Sequence, residues 1–264
     1  MRTTSIFVGS GGILVGGLSI LFFWLYQGSN PSEVVPDDTV SQARMNDEGM
    51  LYEERSGIAT QAEIPRVVLP ESMSIPAVPF TMQAPNGEWS DPLFQDGCEE
   101  ASLIMAAAWV NGTALTKAGV KRGIRDLSAF EVKQFGQAVD ASLADTQFLL
   151  NTYFGITTSE LRTAVVIDDI KRAVAEGKIV IVPTDGRKLK NPNFKQPGPA
   201  RHMLVIVGYD ADAKEFIVND PGTRKGEGYR YPEDVLYEAI LDYPTGNHVP
   251  VTSTDKGMLA VGKK

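Results

Sequence analysis

Gln95-Asp-Gly-Cys98-Glu-Glu-Ala-Ser-Leu-Ile-Met105 contains the only cysteine of the 264-residue chain. Gly97 suits a sharp turn, and the residues after it read as a helix that runs to about Val110 and stops at Asn111-Gly112. Leu103, Ile104, Ala107, Ala108 and Val110 supply its apolar face. A thiol in the first turn of a helix lies against unpaired backbone N–H groups and the positive end of the dipole, and both favour thiolate. Taken alone, the same stretch fits a small buried hydrophobe, the ordinary role of a lone cysteine. What surrounds it decides between the two.

Upstream, residues 75–83 read as an entering strand whose prolines restrict it to an edge or first position. Residues 84–89 are turn chemistry closed by Trp89. Downstream, helical patterns cover 116–141 and 167–176, the latter ending at Gly177, with a short helix or loop at 146–155 between them. The period then changes. Residues 178–183 form a buried strand, 185–200 a polar, proline-rich and basic loop, 202–209 a second strand and 215–219 a third. The tight polar turn at 210–214 makes the last two an antiparallel hairpin. Helices first and an antiparallel sheet afterwards give an α+β fold, with the cysteine helix packed on the sheet.

The chain has two histidines, His202 and His248. His202 opens its strand, and the hairpin returns the end of the next strand, Asn219-Asp220-Pro-Gly222, beside it. A carboxylate there reaches the imidazole. Asp before Pro is also ordinary turn chemistry. Asn219 is chemically suited to the same role, but neighbours at a strand end point to opposite faces and only one can meet the ring. Cysteine at a helix start, histidine at a strand start and a carboxylate at the adjacent strand end make a nucleophile, a base and an orienting group.

Residues 6–26 are apolar and long enough to cross a hydrocarbon core of ~30 Å as a helix. Arg2 is the only charged side chain before Glu33. A signal anchor at 1–27 is expected, with the bulk of the chain outside the cytoplasmic membrane. Residues 28–72, with Pro31, Pro36, Pro65 and Pro70 and little periodicity, read as an extended linker, and 73–264 as one domain. The net charge of -8 argues against a nucleic-acid partner. One cysteine and two separated histidines offer no metal cluster, so neither metal nor cofactor is expected.

The stretches Val78-Pro-Phe-Thr-Met-Gln83, Asp96-Gly-Cys-Glu-Glu-Ala-Ser102, His202-Met-Leu-Val-Ile-Val-Gly-Tyr-Asp210 and Phe216-Ile-Val-Asn-Asp-Pro-Gly222 together resemble bacteriocin-processing-type cysteine peptidases. The likeness is to their stand-alone, C39-like branch within the papain-like superfamily, and it spans roughly 75–241. It implies a papain-like fold, with Cys98 as nucleophile, His202 as base, Asp220 as orienting group and Gln83 as donor to the oxyanion. Gln95 is the rival donor, but it lies too near Cys98 to come from a separate strand. Gly97-Cys98-Glu99 departs from the Asp-Cys-Gly of transporter-fused relatives, and no phosphate-binding loop of an ATP-binding cassette is found. Glu99 and Glu100 raise the thiol pKa, which the His202 imidazolium has to outweigh. The expectation is a membrane-anchored extracytoplasmic peptidase acting on peptides or proteins, or a related amidase or acyl transferase. The competing reading is a papain-like binding module that has lost turnover.

Overall fold

A computed structural model describes residues 69–263. In chain order the elements are β1 (Ser72–Ser74), α1 (Pro92–Gln95), α2 (Cys98–Asn111), α3 (Lys117–Phe135), α4 (Leu143–Thr152), β2 (Ser159–Thr163), α5 (Ile167–Ala175), β3 (Ile179–Thr184), β4 (His202–Asp210), β5 (Glu215–Asn219), β6 (Tyr229–Pro232), α6 (Glu233–Ala239) and β7 (Gly257–Val261). The strands described form one antiparallel sheet in the order β2-β7-β3-β4-β5-β6, and β1 pairs with the far end of β4. The architecture is α+β.

The sheet is apolar where it is central. All six residues of β3, and all of β4 except Asp210, are buried, so both read as continuous hydrophobic runs rather than as alternation. α2 packs on β4 and is buried from Cys98 to Trp109. An apolar stripe was expected of this helix, but it is enclosed on every side. Ala106, Ala107 and Ala108 let its neighbours close in, and a helix apolar all round belongs in a core. Gly112, left-handed at φ 63°, ends it.

Residues 75–83 are not a strand. Ile75 N–H still donates to Val207 O at 2.7 Å, and Trp109 Nε1–H donates to Pro76 O at 3.3 Å. The prolines at 76 and 79 break the ladder, and the segment continues as extended chain to Gln83. The sheet also begins earlier than Met73: Ala211 N–H donates to Glu71 O and Tyr209 Oη–H to Pro70 O. The helix expected to reach residue 141 stops at left-handed Gly136. β7 enters between β2 and β3, a placement with no local signal. Among the described residues no helix is long and apolar enough to cross a membrane. The expected span at 6–26 lies outside the described residues.

α3 seats against α2 through an unusual polar contact. Ser128 Oγ–H donates to Glu100 Oε1 at 2.5 Å, and Glu131, one turn further along α3, is buried with it. Glu100 Oε2 and Glu131 Oε1 have no partner among the described residues. Burial drives both carboxyl pKa values upward, helped by Glu99 at Glu100 and by Glu100 at Glu131. A carboxyl with a raised folded pKa holds a proton that the unfolded chain releases, so its stabilising contribution is lost as pH rises. Stability should therefore fall between about pH 5 and pH 8, from the unfolded carboxyl range upward. Glu131→Gln is expected to flatten this slope and raise Tm at pH 8 by roughly 3–6 °C, the effect of about 1–2 kcal/mol in a domain of this size. Thermal melts followed by circular dichroism from pH 5 to 9 test it; parallel curves for the two proteins would refute it.

Candidate active site

A cleft of about 1000 Å³ opens beside the start of α2, and Gln83, Cys98 and His202 all line it. Each arrives on a different element for a local reason. Cys98 is the first residue of α2, so its backbone N–H is one of the donors that helix geometry leaves unpaired. His202 is the first residue of β4, where the long 185–200 loop enters the sheet. Asp220 follows β5 directly, and its N–H donates to Gly226 O across a turn.

His202 Nε2 lies 2.7 Å from Asp220 Oδ1, with both side chains buried. Asp220 has further donors: Tyr231 Oη–H at 2.7 Å, the Gly222 backbone N–H at 2.9 Å and Asn191 Nδ2–H at 3.4 Å. Burial works to raise its pKa, but His202 and these donors bring it below the ordinary carboxylate range. Asn219 turns the other way. Its Nδ2–H donates to Val78 O and its Oδ1 accepts from Gly228 N–H. With Asp220 on Nε2, the other imidazole nitrogen, Nδ1, is left for the reaction.

Phe194 meets the His202 ring edge-on, with centroids 5.3 Å apart. A Cβ at Gly222 would come within 2.8 Å of His202 Cε1 and 3.0 Å of Phe194 Cε1, so only a bare backbone fits beside the two rings. The basic loop at 185–200 is thus anchored: Leu189, Asn191 and Phe194 are buried, and Asn191 Nδ2–H donates to Tyr231 Oη at 2.6 Å. Phe194, Asn191 and Tyr231 support the imidazole without any motif of their own. The only signal that could have found them is the alternation of β6, which turns Tyr231 inward.

Gln83 is placed by its N–H, which donates to Pro221 O at 3.0 Å and so ties it to the residue after Asp220. Its Nε2 donates to Gln95 O at 2.5 Å, leaving one amide hydrogen uncommitted. Gln95 contributes its backbone carbonyl to the site. That carbonyl fixes the Gln83 amide.

The thiol departs from expectation. Cys98 Sγ–H donates to Glu99 Oε2 at 2.9 Å, and Glu99 Oε1 accepts from Tyr243 Oη–H at 2.7 Å. Burial pushes the Cys98 pKa well up, with the Glu99 charge and hydrogen bond next, while the Met203 backbone N–H opposes the rise. Burial and Glu99 therefore outweigh the helix N-terminus at the thiol. Burial also raises Glu99, to about 6 against the pull of its two donors, so near neutral pH it is an anion holding a neutral thiol.

A family model, that of the Peptidase_C39 like family, matches residues 75–243 and takes in all four of these positions. The chain belongs to that family. It is a cysteine peptidase. Solved structures with similarity to this C39-like peptidase include a protein described as a C39-like peptidase from Bacillus anthracis, with 17% identity, 74% of this chain and 99% of that chain covered, and a TM-score of 0.49. Another is xylellain, a cysteine protease from Xylella fastidiosa, at 13% identity, 75% and 87% coverage, and a TM-score of 0.33. A search of curated proteins found no match.

If Glu99 holds the proton on Cys98, Glu99→Gln should release it. The amide keeps a hydrogen-bonding group and removes the charge, so the rate of alkylation by iodoacetamide at pH 7 is expected to rise about tenfold, one pKa unit of thiolate population. An unchanged or slower rate would show that Glu99 does not restrain the thiol.

Proposed function

We propose that this peptidase cleaves peptide bonds through a thioacyl intermediate, with Cys98 as nucleophile, His202 as the proton carrier, Asp220 as its orienting anion and Gln83 as an oxyanion donor. The observation that carries the reading is the buried 2.7 Å contact between His202 and Asp220 in the cleft that Cys98 lines. Asp220 holds Nε2, so Nδ1 takes the Cys98 proton as sulfur attacks the substrate carbonyl carbon. The C=O π electrons move to oxygen, and the oxyanion is met by the Cys98 backbone N–H and the uncommitted Gln83 amide hydrogen. Collapse reforms the carbonyl and breaks the C–N bond. The leaving amine takes the proton from His202, which leaves a thioester on Cys98. Water attacks the thioester with His202 as base, and the acid departs as the thiol is restored. Buried Asp220 stabilises the imidazolium at each proton transfer, which compensates for the neutral resting thiol.

We also propose that residues 6–26 anchor the enzyme in the membrane with the catalytic domain on the extracytoplasmic side. The length and apolarity of that segment support this, as does Arg2 as its only flanking positive side chain. Recovery of the full chain in the membrane fraction, with protease digestion of intact cells removing the domain, is the expected result.

Cys98→Ala should abolish turnover with the melting curve retained. Asp220→Ala should lower kcat by about 10²–10⁴ and Asn219→Ala by far less, because Asn219 does not touch the imidazole. Gln83→Ala should lower kcat by about 10²–10³ at nearly constant KM, the signature of a donor that acts on charge present only in the transition state. Steady-state kinetics on any peptide the wild type cleaves checks all three. A Cys98→Ala protein with wild-type activity would overturn the nucleophile.

A further inference from the structure

The cleft is not electrostatically even. Lys195, Arg224 and Lys225 line it and are exposed, and their side chains make no ion pair or hydrogen bond among the described residues. The other arginine of the cleft, Arg201, is matched by Asp140 at 3.1 Å. Three uncompensated cations around one opening stand out in a chain whose net charge is -8.

The acids of the cleft do not balance them. Asp140 lies between Arg201 and His248. Glu99 accepts from Cys98 and Tyr243. Asp96 remains, half-buried, one carboxylate against three cations.

The Arg224 side chain extends across the cleft mouth to Gly87. Its Nη2 lies 2.7 Å from where a Cβ would stand at Gly87, whose φ of +89° is itself a glycine conformation. The guanidinium thus reaches from the loop after Asp220 to the turn before Trp89. Its planar fork suits two-point binding of a carboxylate.

We propose that the cleft contains a carboxylate subsite centred on Arg224 and reinforced by Lys225 and Lys195. The substrate is then an acidic peptide, with an Asp or Glu side chain or a free α-carboxylate close to the bond that is cut. This rests on the peptidase reading above and adds the substrate class to it. Of the basic loop at 187–195, only Lys195 takes part, since Arg187 is committed to Asp185.

Binding tests this apart from turnover. The probes are two pools of octapeptides that are alike except for Asp or Glu against Asn or Gln at the central positions, each made with a free and with an amidated C-terminus. They are titrated into full-length Cys98→Ala protein, read by calorimetry and by Trp89 fluorescence. The acidic pool is expected to bind at least tenfold more tightly at low salt, and this preference should shrink at about 500 mM salt. Arg224→Ala should reduce the preference to under threefold, and Arg224→Glu should invert it. Arg224→Lys should retain part of it, and the exposed control Lys117→Ala should leave it intact. A gain confined to free C-termini would assign the site to the α-carboxylate, and a gain confined to Asp and Glu peptides to side chains. Equal or absent binding of the pools, or a preference that survives in the folded triple variant Lys195→Ala, Arg224→Ala, Lys225→Ala, overturns the proposal. Wild-type turnover without charge preference would sink the subsite and leave the peptidase standing. Charge-selective binding with no turnover of any pool would do the reverse.

Discussion

Everything on the histidine side of the cleft depends on keeping one carboxylate ionised where water does not reach. Asp220 is fully buried, and a bare charge there is untenable; it persists because His202, Tyr231, Gly222 and Asn191 all point donors at it. These partners come from β4, β6, the turn after β5 and the 185–200 loop. The same interaction that orients the imidazole therefore pins the loop that carries Phe194 and Lys195. It also anchors the turn that carries Arg224. Removing the carboxylate would release the walls of the cleft together with the base.

The cysteine side follows the opposite electrostatic logic. α2 brings three acids to its neighbourhood, Glu99 and Glu100 from its own first turn and Glu131 from α3, and burial pushes all three pKa values up. A helix start stabilises negative charge, which suits the glutamates as much as a thiolate. Here Glu99 accepts a hydrogen bond from the thiol, which keeps its proton, so the sulfur rests neutral. In the proposed mechanism the nucleophile forms on engagement of substrate, when the proton passes to an imidazole poised by Asp220. A thiol kept protonated until then is also less open to oxidation, which follows thiolate character.

The unpaired cations sit where these two halves meet. Arg224 leaves the Asp220 turn and ends against Gly87, next to the segment that places Gln83. The proposed carboxylate subsite and the proposed oxyanion donor thus lie on two segments that the bond from Gln83 N–H to Pro221 O ties together.

The local signals in the chain determined which residue types could do chemistry. One cysteine after a glycine, one histidine at a strand start and an Asp-Pro-Gly behind the next strand specify the parts, and the polar turn at 210–214 makes the juxtaposition of His202 and Asp220 necessary, since antiparallel neighbours reverse direction. The switch from helical to strand period was equally legible, because the hydrophobic pattern of each element is set by its own backbone geometry. What the chain could not display is whatever depends on burial and long-range contact. That Asn219 faces Val78 while Asp220 faces His202 rests on which side of β5 the core lies. That β7 slots between β2 and β3 rests on pairing between residues about a hundred apart in the chain. That Cys98 is neutral rests first on desolvation, which has no sequence signature, and then on the charge and hydrogen bond of Glu99, whose charge alone was legible beside the thiol.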